Sequence, residues 1–397
     1  MRAFICDAPA RAFLKQIKGH TGYYSCERCV IKGFWKNNRV IMHSCELQEK
    51  RTDELFSAQT YVNHQMGITP LVQHGIPCIS SFVLDYMHCV CLGVVKRILW
   101  FFKQGPTVCK LSHIQLDELS KKLVSYSGNL PSEFARQPRS LAELERWKAT
   151  EYRQFLLYTG PIVLRKVLSK ERYIHFLTLF IGISILLESD SHKRTSYINY
   201  ASSLLSFFVN KSKVLFGEQF IVYNVHNLLH LADDVKHFDC SMNEISAFPY
   251  ENHLQSIKRM VRNAKNPIAQ VTKRLAEKER AGVSMVKSNI QTFIYRYIST
   301  RPKNNCFLLK NESFAFIKEK KENNRLLCDI LHPDRAQNFF TEPCNSKLVN
   351  IVFVPNNCHM SRKLIDKDEI YKKCVSLPVD NGRVVIPMLH GLERNNI

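Results

Sequence analysis

Two carboxylates stand next to predicted elements that could position them for chemistry on a phosphodiester backbone. Asp7 follows the apolar residues 3–5, which read as the end of a strand. A strand end fixes a carboxylate and leaves it exposed to a metal ion. Glu251 follows a Phe-Pro-Tyr turn near the start of a predicted helix at 247–262, where an acidic side chain suits the helix dipole. The alternatives are a turn or cap role for Asp7, and a capping role for Glu251 on a solvated amphipathic helix.

The predicted helix that carries Glu251 is strongly basic. Lys258, Arg259 and Arg262 recur on one side of it, and apolar residues recur on another. Further basic residues follow toward the C-terminal side: Lys265, Lys273, Arg274, Lys278 and Arg280. A carboxylate at the N-terminal end of a basic helix is typical of a metal-dependent enzyme that acts on nucleic acid. The basic residues predict a nucleic-acid-binding surface.

A third acidic residue lies in the stretch FVLDYMHCVCLGVVKRILW, at residues 82–100. Asp85 and His88 are three residues apart and share one face if this stretch is helical. Both could face an active site while the neighbouring apolar residues are buried. The alternative is a helix N-terminus in which Asp85 is the cap.

The clearest local signal for a metal is the Cys26-x-x-Cys29 pair. Two thiolates at this spacing provide half of a tetrahedral zinc site. The other half needs two more ligands, and the nearest candidates in the sequence are His20, His43, Cys45 and His64. A redox-active cysteine pair is the alternative, but no thioredoxin-like pattern surrounds it. We therefore expect structural Zn²⁺.

A second pair of potential ligands, His226 and His230, shares one face of the predicted helix NVHNLLHLADDVKHF. This i, i+4 spacing can bind a metal, but the glutamate that accompanies such a pair in zinc peptidases is absent. The sequence therefore favours interior histidines that hold the helix against its neighbour.

Composition indicates an anionic partner. Lys and Arg outnumber Asp and Glu by 56 to 35, which favours nucleic acid or an acidic membrane surface as the partner. The apolar run at residues 176–187 is too short to span a bilayer and predicts a buried helix. The fourteen cysteines are scattered and no signal peptide precedes them, which indicates a reducing compartment.

Two regions of the chain differ in the spacing of their apolar residues. From about residue 145 to 236, broad apolar faces recur at helical spacing and predict a helical domain. From Cys306 onward, short β-type runs such as CFLLK, SFAFIKE and LVNIVFV are separated by Asn, Pro and Gly. This second pattern predicts a small, barrel-like β domain.

Four stretches together resemble the CACTA (En/Spm-type) family of DNA transposases and its animal relatives. They are CDAPARAFLKQIKGHTGYYSCERC, FVLDYMHCVCLGVVKRIL, NVHNLLHLADDVKHF and AFPYENHLQSIKRMVRNAKNP. Their order matches that of the family, and they span residues 1 to about 280. The tail resembles the β-rich extension of the animal members.

The resemblance implies an α+β fold with a partial ribonuclease-H-like core, a large α-helical insertion and a C-terminal β-rich domain. The expected limits are residues 1–100 for the partial core with its C-x-x-C knuckle, 101–240 for the insertion, 241–300 for the core-completing basic helix, and 301–397 for the barrel-like domain.

The family's chemistry is DNA strand cleavage and transfer by two divalent cations, Mg²⁺ or Mn²⁺, held by an Asp-Asp-Glu set. By resemblance, Asp7 is the second acidic ligand and Glu251 the third. Asp85 and His88 match a segment expected to support the active site or the DNA strand.

The remaining correspondences concern zinc and DNA. Cys26 and Cys29 match the family's C-x-x-C, with His64 as a plausible zinc partner. The implied partners are DNA and a second copy of the chain, with neither a membrane nor a small-molecule substrate, in the nucleus.

The sequence departs from the family at one point. The first catalytic Asp is expected on an earlier strand, upstream of residue 1. We therefore expect an N-terminally truncated, transposase-derived protein with impaired catalysis. The alternative is a non-catalytic module, host-recruited or decayed, that binds DNA or another protein.

Overall fold

The structure is a computed structural model, which describes residues 3–43, 48–281 and 298–391. The chain is mixed α and β and divides into two compact units. The first comprises Met1–Ser125, Pro138–Ala247 and Glu342–Cys344, and the second Tyr126–Gln137, Phe248–Thr341 and Asn345–Ile397. In the described part of the chain, no helix is both long and apolar enough to cross a membrane.

The first unit starts with a capped helix, α1 (Ala8–Lys15). The Asp7 carboxylate is the cap, because its Oδ1 accepts a hydrogen bond from the Ala10 backbone N–H at 2.8 Å. In the described part of the strand predicted before Asp7, only Phe4 pairs, through one parallel bridge to Phe82. The expectation of a strand is therefore wrong there, since the chain turns into α1 at once.

Short elements follow α1. They are the antiparallel hairpin of β1 (Phe34–Lys36) and β2 (Arg39–Ile41), then α2 (Asp53–Ser57) and α3 (Pro70–Gln73). Among the described residues of the first unit, this hairpin is the only strand pairing longer than a single bridge.

Helices make up the rest of the first unit. A π-helix, Met87–Val95, runs directly into α4 (Lys96–Gln104) and is followed by α5 (His113–Ser125), α6 (Ala149–Gln154), α7 (Gly160–Val163), α8 (Lys170–Leu186), α9 (Ser191–Phe216), α10 (Tyr223–His226) and α11 (Leu231–Phe238). Helix α8 is apolar on nearly all sides and is accordingly buried. Gly182 lets it approach α9 closely, since a Cβ there would lie 3.1 Å from Leu205.

The second unit begins with two helices, α12 (Phe248–Met260) and α13 (Pro267–Arg280). The helix predicted around Glu251 is thus present and begins at Phe248. The strands that follow are β3 (Cys306–Leu309), β4 (Phe314–Lys320), β5 (Arg325–Leu331), β6 (Gln337–Asn338), β7 (Val352–Pro355), β8 (Ser361–Asp366), β9 (Ile370–Val379) and β10 (Gly382–Pro387).

These strands form one antiparallel sheet in the order β6-β7-β10-β9-β3-β4-β5-β8. The described strands β6 and β8 stand at its two ends, so the order is that of an open sheet and not a closed barrel. The sheet buries both faces. Phe307 and Leu309 lie in one apolar cluster, whereas Cys306 and Leu308 lie in another, as alternation along a strand requires.

Candidate metal centre

Four buried side chains of the first unit converge: Cys26, Cys29, His226 and His230. Their ligand atoms all lie within 4.8 Å of one another. The two Sγ atoms are 3.5 Å apart, and the two Nε2 atoms are 3.3 Å apart. Cys29 Sγ lies 3.3 Å from His226 Nε2, and Cys26 Sγ lies 3.6 Å from His230 Nε2.

These separations fit a tetrahedral zinc ion. With Zn–S near 2.3 Å and Zn–N near 2.0–2.1 Å, a regular tetrahedron has edges of about 3.8 Å between sulfurs, about 3.6 Å from sulfur to nitrogen and about 3.3 Å between nitrogens. The four separations given above for individual atom pairs agree with these edges within about 0.3 Å, and the other pairs of ligand atoms lie within 4.8 Å. Two thiolates and two imidazoles are also the donors that structural zinc prefers. The four residues could therefore bind a metal such as zinc.

Local backbone geometry presents the two cysteines. The backbone N–H groups of Arg28 and Cys29 both donate to Cys26 Sγ at 3.4 Å. Such bonds favour a thiolate at this position. The histidines come from the end of α10 and the 3₁₀ turn Asn227–His230, which places residues four apart on one side.

Charged residues buried beside the knuckle hold it in place. Arg28 donates to both carboxylate oxygens of Asp234, at 2.8 and 3.1 Å, and also to the backbone carbonyls of Ile79 and Phe82. Asp234 Oδ2 accepts a further bond from Leu84 N at 2.7 Å. Arg28 therefore ties the cysteine loop to α11, the element that follows the histidines.

A second buried network lies on the other side of the knuckle. Glu27 accepts hydrogen bonds from Arg11 at 2.9 Å, Lys15 at 2.8 Å and the Tyr223 hydroxyl at 2.6 Å. Burial alone would raise the pKa of Glu27, but the charges of Arg11 and Lys15 outweigh it and hold the pKa below its ordinary value. This network joins α1, the cysteine loop and α10.

The electrostatics favour ionisation of one thiol. Burial opposes a charge on Cys26, but the hydrogen bond from Cys29 and the nearby His226 and His230 outweigh it and lower the pKa of Cys26. Arg51 is also close, since its Nε donates to the Cys26 carbonyl at 3.0 Å. A thiolate of low pKa is the form that binds a metal.

The structure corrects the zinc partners expected from sequence. His64 Nδ1 lies 2.7 Å from the Tyr24 carbonyl, and burial lowers the pKa of His64 to about 4. Neither His64 nor His43 nor His20 belongs to the converging group, and Cys45 lies outside the described residues. His226 and His230, expected to be packing residues, supply the missing half instead.

Asp85 and His88 form a helix cap. His88 N and His88 Nδ1 contact Asp85 Oδ2 at 3.0 and 2.6 Å, and Asp85 Oδ1 accepts from Ala247 N at 2.7 Å. Asp85 is fully buried. Both of its carboxylate oxygens thus accept hydrogen bonds that join the start of the π-helix to the end of the first unit.

The two expected catalytic carboxylates have different surroundings. Asp7 caps α1 in the first unit, whereas Glu251 is exposed in the first turn of α12, in the second unit. Among the described residues, the Cys2His2 group is the only set of three or more His, Cys, Asp or Glu ligands close enough to hold a metal ion. No Mg²⁺ or Mn²⁺ site is therefore found in that part of the chain.

The basic residues predicted to contact nucleic acid face solvent. Exposed side chains on α12, α13 and the loop between them include Lys258, Arg259, Arg262, Lys265 and Lys273. Arg274 is half-buried and pairs with Glu277 at 2.7 Å. Arg280 is exposed as well, and within the described residues no ion pair involves any of these six exposed cations.

Comparison with known proteins gives one partial match. A family model described as a domain of unknown function (DUF8592) matches residues 283–388, which is less than half of the chain and includes β3 to β10. No curated protein and no solved structure matches the chain. The metal centre lies outside the matched region.

Proposed function

We propose that this protein is a DNA-binding protein related to the CACTA (En/Spm-type) DNA transposases, in which a structural zinc centre organises the first unit. The observation that carries DNA binding is the surface of α12 and α13. Residues 248–281 contain eight basic and three acidic residues, and six of the cations are exposed without a carboxylate partner among the described residues. Exposed, unneutralised cations on adjacent helices attract a phosphate backbone.

The metal centre supports the relation to transposases. Its cysteines belong to the first of the four resembling stretches and its histidines to the third. The helices α4 to α9 lie in the chain between these two pairs. This arrangement accords with a core interrupted by a helical insertion, which is what the resemblance implies. A ribonuclease-H-like core for the first unit remains part of this proposal.

Binding is favoured over strand cleavage by the surroundings of the carboxylates. A two-metal mechanism needs several carboxylates around ions about 4 Å apart. Asp7 is committed to capping α1, and Asp85 accepts three hydrogen bonds while fully buried. Mg²⁺-dependent cleavage is therefore the second candidate, carried by the exposed Glu251 and the four resembling stretches.

Salt dependence of DNA affinity tests the proposal. Binding of the full chain to a duplex should weaken steeply as salt rises, because each neutralised phosphate contributes a slope of about −0.9 in log affinity against log salt. The α12 variant carries Lys258→Gln and Arg259→Gln on α12, and Arg262→Gln and Lys265→Gln in the loop after it. It should lose about 3 to 4 units of that slope.

The matched control removes the same charge from elsewhere. Lys110, Lys121, Lys170 and Lys320 are also exposed, so changing all four to Gln keeps net charge equal between the two variants. If the α12 variant and this control bind duplex DNA with the same affinity and slope, α12 and the loop after it are not the DNA-binding surface.

A further inference from the structure

The β1–β2 hairpin carries two aromatic side chains, Phe34 and Trp35, that are exposed to solvent. All three residues of β1 are exposed, with Trp35 59% and Phe34 40% accessible. Large aromatic residues are usually buried for most of their surface. Trp100 and Trp147, the other tryptophans, are less exposed at 39% and 6%.

The exposed strand is held by a buried one. Trp35 pairs with Val40 in the hairpin register, and Val40 and Met42 lie in the same apolar cluster as Cys26 and Cys29. Met42 N also donates to the Ile221 carbonyl at 2.8 Å. The hairpin is therefore fixed to the metal centre along β2, while β1 faces outward.

The two ends of β1 are also specified by sequence. Asn37 and Asn38 form the turn with φ of 53° and 59°, the left-handed values that Asn tolerates and a two-residue hairpin turn needs. Gly33 precedes β1, and a Cβ at this position would lie 2.5 Å from Val40 Cγ1. These constraints give Trp35 a rigid support, which a mobile loop would lack.

The hairpin and its surroundings are positively charged. Residues 28–45 contain no Asp or Glu. Lys32 lies 5.9 Å from the Tyr24 ring centroid, and Lys18 lies 6.0 Å from the same centroid. Lys36 pairs with Glu218 at 2.7 Å, but Arg39 donates only to a backbone carbonyl, that of Asn37, among its described contacts.

Arg97 is close enough to Arg39 for the two positive charges to repel each other. It donates to the backbone carbonyls of Phe220 and Gln219, and its described contacts include no carboxylate. Burial, together with the charge of Arg39, lowers the pKa of Arg97 to about 10. An anion bound near this hairpin would relieve that repulsion.

We propose that Trp35 is a stacking platform for an unpaired base of single-stranded DNA, and that Lys32 and Arg39, which respectively flank and belong to the same hairpin, attract the phosphates. This inference rests on the proposed DNA-binding function and assigns it a second contact, in the first unit. Base stacking on an aromatic side chain next to cations is how proteins bind single strands without reading sequence.

Charge decides between a nucleic acid and other occupants. A protein partner could also pack on the exposed aromatic side chains. The surface of a protein partner carries charges of both signs, however, and the hairpin has no acidic residue to pair with the basic ones. A single strand supplies both the flat apolar base and the negative charge that the hairpin lacks. The arrangement therefore favours a nucleotide over an apolar peptide.

The test compares two oligonucleotides of the same length and charge bound by the full chain. One is oligothymidylate, and the other has the same backbone with abasic sites. Stacking should make the affinity for the oligothymidylate about 5- to 150-fold higher per stacked base. Trp35→Ala should abolish this preference, whereas Trp35→Phe should retain part of it because an aromatic ring remains.

A second measurement follows tryptophan fluorescence. Oligothymidylate should quench the wild-type protein, and Trp35→Phe should lose most of that quenching because the remaining tryptophans are less exposed. Phe13→Ala is the matched control, since Phe13 is 74% exposed on α1 and lies outside the hairpin. Phe13→Ala should leave both readouts unchanged.

The outcomes separate the two proposals. The α12 variant should weaken binding of both oligonucleotides alike, because it removes phosphate contacts. If wild-type protein binds the abasic and thymidylate strands equally, or if Trp35→Ala leaves the preference intact, the stacking site is overturned while duplex binding by α12 stands. If the protein binds neither single-stranded nor duplex DNA, both the stacking site and the proposed function are wrong.

Discussion

Cys26 Sγ and His230 Nε2 lie 3.6 Å apart although the two residues are 204 positions apart in the chain. A metal that bridges them closes a very long loop. Cross-links that close long loops remove the most conformational entropy from the unfolded chain. The candidate centre is therefore placed to stabilise the whole first unit and not only the cysteine loop.

Loss of a ligand should release the metal and destabilise the protein. We expect one zinc per chain in the purified wild type, measured by elemental analysis, and substoichiometric zinc in Cys26→Ser and His230→Ala. Loss of a metal belongs to the small class of changes that cost more than about 4 kcal/mol of stability.

The control for this experiment is Cys358→Ser, because Cys358 is half-buried, lies in the second unit and does not belong to the group of four ligands. It should keep its zinc and its unfolding midpoint. Full zinc occupancy in Cys26→Ser would contradict the assignment of this cysteine as a ligand.

Two adjacent aspartates should differ sharply in their contribution to stability. Asp234 pairs with buried Arg28 at 2.8 Å, whereas Asp233 pairs with exposed Lys50 at 2.8 Å. Asp234→Asn leaves a buried charge without its partner and should cost about 3–5 kcal/mol. Asp233→Asn should cost less than about 1 kcal/mol.

Urea unfolding of both variants measures this difference directly. The two substitutions make the same chemical change at neighbouring positions of α11, so differences in helix propensity nearly cancel. Equal midpoints for the two variants would show that the Arg28–Asp234 pair does not hold the cysteine loop.

The sequence indicated both halves of the metal site but not their union. The C-x-x-C spacing identified Cys26 and Cys29, and the i, i+4 spacing identified His226 and His230 as possible ligands. The partners predicted for the cysteines were residues nearby in the chain, such as His64, because sequence spacing carries no information on contacts across a fold. The cysteine pair and the histidine pair each lack two ligands of a four-coordinate site. Combining the two pairs could have identified the site from sequence.

The other predictions were correct where residues close in the chain determine the structure, and wrong or missing where distant residues do. The helix around Glu251 and the C-terminal strands were predicted, since periodicity and turn residues specify them locally. The strand predicted before Asp7 is absent from residues 3–5, which pair through only one bridge. Asp7 instead caps α1, so the chain enters a helix directly after these apolar residues. The buried charges Lys15 and Glu27 could not be foreseen, as charged residues are buried only where a partner from another element meets them.

Stability in the helical part should depend on pH through His175. Its ring stacks on Phe208 at a centroid distance of 4.2 Å, and its Nε2 lies 2.9 Å from the Phe208 carbonyl. Burial lowers the pKa of His175 to about 4 from an ordinary value of 6.5, with Lys211 also lowering it and Glu171 opposing.

The folded state thus favours the neutral ring, and the unfolded chain binds more protons between about pH 4 and 6.5. The contribution of His175 is fully present above pH 6.5 and is lost as the pH falls through this window. Urea unfolding should show a loss of about 2 kcal/mol from this residue between pH 7 and 5. His175→Gln should flatten that part of the profile, and an unchanged acid limb would contradict this account.

A buried ion pair should hold residues 126–137 against the sheet of the second unit. Lys373 Nζ on β9 donates to both Glu133 oxygens, at 2.7 and 2.8 Å, and to Asn304 Oδ1 at 2.8 Å. Lys373→Met leaves the Glu133 carboxylate buried without its cation and should cost about 3–5 kcal/mol. Removing both charges, in Lys373→Met with Glu133→Leu, should recover much of this loss, because no unpaired charge remains.

Urea unfolding of the two single variants and the double variant gives the coupling energy between the residues. Additive effects of the single changes would show that Glu133 and Lys373 stabilise the protein independently of each other.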